Sequence, residues 1–166
     1  MIWAALALAF QDEPSSPIIR RKDPITDEEM IAAAWGNEGA GISLVCLPAK
    51  QKLRVVFTSK ANPFGRSGFV TSSWKDTYRL GDAKPVKIDW WHDNETSHLY
   101  EDGAITDFVR GMIGADRFVI RARTFYRDEF DVVIPLHGTK EAVREVVLAC
   151  GDTKVRRALG NVLESE

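Results

Sequence analysis

From residue 41 onward the chain alternates apolar and polar positions with a period of two, the pattern of strands with one buried face. It predicts strands over 42–47, 53–59, 69–74, 86–91 and 97–100, with a weaker one at 77–80. Three segments carry the helical period instead. "TDEEMIAAAW" opens with a capping box, Thr26 and Glu29, and its alanines extend a predicted helix over 27–35. Ile105, Phe108, Val109, Met112 and Ile113 form one stripe of a helix over 104–113, closed by Gly114. Val143, Val146, Val147 and Cys150 form a stripe of a third, over 139–150. The tail from residue 152 to 166 places Val155, Leu159, Val162 and Leu163 at helical spacing, as a short docked helix or a frayed end.

The most legible hairpin is "RFVIRARTFYRDEFDVVIPLHG", residues 117–138. Only a loop of odd length keeps both apolar sets on one face. A three-residue loop, Tyr126–Asp128, would pair Phe118 with Leu136, Ile120 with Ile134 and Ala122 with Val132, and set Arg123 opposite Asp131. A second hairpin lies within "WWHDNETSHLYEDG", residues 90–103. A four-residue loop, Asp93–Thr96, sets Trp91 against His98 and His92 against Ser97, so the two histidines face opposite sides of the sheet. One metal ion cannot easily take both, and no HExxH or CxxC spacing occurs elsewhere. The stretch reads as a hairpin tip.

These elements define an α+β chain, mainly antiparallel sheet, arranged as a sandwich or a partly open barrel with two or three helices. At 166 residues it is one domain, over 26–151, preceded by a proline- and charge-rich linker over 10–25. Residues 1–9 begin the apolar run "MIWAALALAFQ". That run is too short to cross a hydrocarbon layer of ~30 Å as a helix. It fits a secretory signal with Ala7-Leu8-Ala9 as the cleavage site, although the usual basic residue at its start is missing. The alternative is a buried N-terminal helix or strand. The signal reading implies a periplasmic or secreted protein.

Export changes the reading of the two cysteines. Cys46 shares a strand face with Ile42 and Leu44, and Cys150 lies on the apolar stripe of the last predicted helix, so both point inward. A disulfide between them is the expectation in an oxidising compartment. Two free buried thiols are the alternative.

The net charge of -2 gives no global attraction to nucleic acid or anionic lipid. "GRSGF" around Ser67 lacks the G-x-S-x-G pattern of a nucleophile elbow, and no two of the 24 acids stand out as a catalytic pair. The sequence predicts no catalytic residues, no metal and no cofactor. Trp91, Tyr100 and Tyr126 fall at outward or turn positions, and with Arg121 and Arg123 they make a candidate binding surface. A protein partner is expected there, and a glycan is the alternative. A small hydrolase is a third reading.

The run "KPVKIDWW…SHLY…ITDFVRGMIGADRFVIRA…FDVVIPLHGTKEAVREVVLACG" resembles small exported domains of Gram-negative bacteria. The similarity is to the type VI secretion-associated periplasmic family and, more loosely, to the invasion-associated locus B proteins. It spans roughly residues 44–151, through Trp90, Phe108, Arg121, Leu136, Gly138, Ala142 and Cys150. The resemblance implies an antiparallel β-rich domain with an accessory or interaction role and no catalytic residues.

Overall fold

Nine strands pair into one antiparallel sheet in the computed structural model, which describes residues 18–61, 64, 73–124 and 126–164. In chain order they are β1 (Ile18–Lys22), β2 (Glu29–Gly36), β3 (Ala40–Leu47), β4 (Lys52–Ser59), β5 (Ser73–Leu80), β6 (Val86–Asp93), β7 (Thr96–Leu99), β8 (Arg117–Arg123) and β9 (Glu129–Pro135). The helices are α1 (Asp102–Met112), α2 (Thr139–Cys150) and α3 (Thr153–Glu164). The sheet order is β1-β2-β3-β4-β7-β6-β5-β8-β9. The sheet curls until β9 approaches β2 and β3, yet it does not close. The expected α+β class dominated by antiparallel sheet is what the structure shows, with all described strands in one curled sheet that is not closed.

The core fills the concave side, where alternate strand residues meet the apolar stripes of the helices. Ile42, Leu44, Val55, Phe57, Trp90, Phe118 and Ile120 are buried there against Phe108, Val143 and Val147. Rings pack edge to face, with Trp90 against Phe108 at 6.1 Å and Phe108 against Phe118 at 5.6 Å. α3 docks through Val155, Leu159 and Leu163, which settles the tail as a packed helix. Among the described residues no helix is long and apolar enough to cross a membrane.

Two expectations for the first strands fail. Residues 29–36 form β2, a central strand between β1 and β3, where a helix was expected. Asp23 explains why: its carboxylate accepts from the amides of Ile25 and Thr26, so the polar residues build the β1–β2 turn instead of a helix cap. Ile31, Ala33 and Trp35 then face the core, and Met30 and Ala32 are buried on the other side. A strand buried on both faces loses its alternation, and packing overrides the helix propensity of alanine. The supposed linker likewise contains β1, held to α2 by the ion pair Arg20–Glu145 at 2.8 Å.

The β8–β9 hairpin keeps the expected faces but slips by two residues. Phe118 pairs with Ile134, Ile120 with Val132, Ala122 with Phe130, and Arg121, in place of Arg123, with Asp131. A slip of two preserves the apolar side, so turn and charge decide the register. The Thr124 amide donates to the Asp128 carbonyl at 2.9 Å, which leaves three positions between them, so the loop keeps its odd length but is centred one residue earlier than expected. Arg121 then grips Asp131 with two bonds of 2.7 Å, and Arg123 meets Glu129. The β6–β7 register agrees with expectation, with Trp91 opposite His98 and His92 opposite Ser97. Its loop is tighter, because Asp93 and Thr96 also pair. The strands expected at 69–74 and 77–80 meet in β5 from Ser73 onward, and positions 69–72 lie outside the described residues. Residues 1–17, including the expected signal segment, also lie outside them.

Candidate functional site

The sulfurs of Cys46 and Cys150 are bonded, joining β3 to the end of α2 across 104 positions. This staple ties the first half of the sheet to the helical layer and leaves no free cysteine among the described residues.

The convex face of the sheet divides into two halves. Along β5, β6, β8 and β9 it is charged. Asp89 stands beside Lys75, Arg123 beside Glu129, and Arg121 beside Asp131. Such exposed cross-strand pairs keep a wall solvated. Arg121 and Arg123 are therefore already paired with acids of their own sheet.

Along β1–β4 the same face is apolar: Met30, Ala32, Val45 and Val56 cluster with Ile19 and Leu47. Where the two halves meet, β4, β7 and β6 bring an aromatic group together. His98 stands between Val56 and Trp91 in the register. Its ring stacks on Tyr100 at 5.5 Å and 13°, and Arg54 lies over the Tyr100 ring at 5.3 Å. Trp91 is 42 % exposed and Tyr100 43 % exposed, whereas His98 is buried. Burial, helped by the Arg54 charge, pushes the His98 imidazole down to about 4, so it is neutral at physiological pH. Its Nε2 shares a 2.9 Å hydrogen bond with Thr96 Oγ1.

Of the expected binding residues, Trp91 and Tyr100 are thus brought together. Tyr126, 79 % exposed, sits in the β8–β9 turn, and Arg121 and Arg123 lie on the charged half. Sequence reasoning missed Arg54 and His98 as members of the group. His98 lies two positions from Tyr100 on the same face, whereas the link from Arg54 depends on the β4–β7 pairing, a long-range register that no local pattern reveals.

On the concave side a second polar group is sealed in the core. His92 Nε2 lies 3.3 Å from Asp76 Oδ2, and both side chains are 1 % exposed. Ser97 stands opposite His92, Phe64 stacks on the imidazole at 4.8 Å, and the Trp74 ring is 5.9 Å away. These are the residue types of an acyl-transfer relay, but they do not form one. The histidine nitrogen that would face the serine is turned to the acid, and the buried Ser97 hydroxyl makes no hydrogen bond among the described residues. No group of three or more His, Cys, Asp or Glu placed to hold a metal occurs among the described residues either.

Together these features define the class: a disulfide-stapled α+β domain built on one curled antiparallel sheet, with an aromatic patch on its convex face. No family model matches the chain, and no curated protein matches it. Among solved structures it is similar to invasion associated protein B from Bartonella henselae, at 9 % identity and a TM-score of 0.49, over 82 % of this chain and 95 % of that one. The looser of the two resemblances seen in the sequence is the one met again. At that level of similarity it carries no functional assignment.

Proposed function

We propose that this chain is an exported, non-enzymatic interaction domain that presents Trp91 and Tyr100 to a protein partner, as an accessory of a secretion or other cell-envelope system. The observation that carries the reading is the Arg54–Tyr100–His98 stack beside exposed Trp91. Aromatic and arginine side chains supply most of the binding energy at protein interfaces, and here they sit on a rigid sheet. The stack is ordered before any partner arrives, which lowers the entropy cost of binding. The apolar half of the convex face adjoins it, and the charged half gives it a solvated border. The Cys46–Cys150 bond supports export, because such bonds persist in oxidising compartments.

The test uses the purified disulfide-bonded domain and its Trp91→Ala/Tyr100→Ala variant, applied to envelope extracts of the native host and to a glycan array. The reading expects a discrete envelope protein bound by the wild type and lost with the variant, and a silent array. Equal capture by both forms would overturn it. A carbohydrate-binding module is the second reading, favoured by the exposure of Trp91, Tyr100 and Tyr126, and glycan binding that depends on Trp91 would establish it.

A further inference from the structure

We propose that Asp76 and His92 act as one proton-sharing dyad inside the sheet, built so that the fold tolerates swings in external acidity. The geometry points there first. A carboxylate and an imidazole 3.3 Å apart, both sealed from water, cannot titrate independently. Apart from the Arg123 backbone amide, which acts on Asp76, neither side chain has a hydrogen-bond partner among the described residues, and each is the other's ion-pair partner.

The surroundings add little charge. Tyr78 of β5 titrates only at high pH, burial having raised it further. β4 presents Phe57, β7 Ser97 and β9 Phe130, none of which ionises in the range of interest. Arg123 of β8 acts on Asp76 through its backbone amide and its charge, and His98 of β7 acts weakly on His92. Burial outweighs these influences. It lifts the Asp76 carboxyl from 3.8 to about 7 and pushes the His92 imidazole from 6.5 to about 4.

The proton count then balances. Between about pH 4 and 6.5 the folded pair holds one proton, on Asp76, and the unfolded pair also holds one, on the histidine. Stability changes with pH only where those counts differ. Each residue alone would make the fold sensitive to acidity in this range, and together they cancel. This purpose rests on the export proposed above, since the surroundings of an exported domain follow the pH of the medium, whereas the proton balance itself does not. The dyad stands independently of the interaction surface.

Single substitutions unmask the cancellation with opposite signs. In Asp76→Asn the lone His92 keeps a depressed value, so its stability is present above 6.5 and is lost as pH falls toward about 4. In His92→Asn the lone Asp76 keeps a raised value, so its stability is present below 3.8 and is lost as pH rises toward about 7. The experiment is urea unfolding at about pH 4.5 and about pH 7.5, each variant being compared with the wild type at the same pH. The expected result is a change in relative unfolding constant on the order of 100-fold between the two conditions, in opposite directions for the two variants. Changes of the same sign, or none, would overturn the proposal. Should a variant fail to fold, carboxyl-carbon NMR of the wild type at about pH 5 decides. A protonated Asp76 supports the dyad, and an ionised one overturns it.

Discussion

Opening the Cys46–Cys150 bond is the most direct perturbation of the scaffold. The bond closes a loop of 104 positions. In the chain-entropy account, a crosslink over a loop of ~100 residues removes about 4.7 kcal/mol of freedom from the unfolded chain. Net stabilities of domains run from about 5 to 15 kcal/mol, so loss of the bond takes a large share of the total. Reduction leaves both sulfurs in the core, so it isolates the crosslink. The Cys46→Ala/Cys150→Ala variant also empties two fully buried positions and should lose more. The assay is urea unfolding followed by tryptophan fluorescence, comparing oxidised protein, protein under strong reductant and the double variant. The expected order of midpoints is oxidised, then reduced, then the variant, with about 3–5 kcal/mol between the first two. A reduced protein within about 1 kcal/mol of the oxidised form would refute the view that this bond staples β3 to α2.

Neighbouring tryptophans should behave differently. Trp90→Ala, in the core, should cost about 3–5 kcal/mol of stability. Trp91→Ala should leave the urea midpoint near the wild type while abolishing partner capture. Gly36 has φ +144°, and a Cβ there would meet the Ala40 carbonyl oxygen at 2.3 Å, so Gly36→Ala should lower the thermal midpoint by several degrees, read by circular dichroism. Arg121→Ala breaks an exposed ion pair with Asp131, and its thermal midpoint should stay close to the wild type.

How much of this was legible follows from where the information lies along the chain. The β6–β7 register could be read because Trp91, His92 and their partners His98 and Ser97 lie close in sequence, joined by a tight turn. α1 and α2 could be read because one apolar stripe each faces a single core. β2 could not: it lies between two strands with both faces buried, and its alanines carry a helical signal that only its neighbours cancel. The β8–β9 slip escaped for a subtler reason. Moving by two residues leaves the apolar face intact, and only the loop around Thr124 separates the two registers. The outward parity of Trp91 and Tyr100 was visible in the sequence. Arg54 joins them only because β4 pairs with β7, more than forty residues away along the chain.

The central claim is that the convex aromatic patch is where a partner protein sits. Photo-crosslinking in the native host tests it most directly, with benzoyl-phenylalanine placed at position 91 and, as a control, at 133, where Val133 is exposed on the charged half. The account predicts one discrete protein adduct from position 91, mapped by mass spectrometry to a defined peptide, weakened by Arg54→Glu and missing from position 133. Equal labelling from both positions, or none from 91, would contradict it.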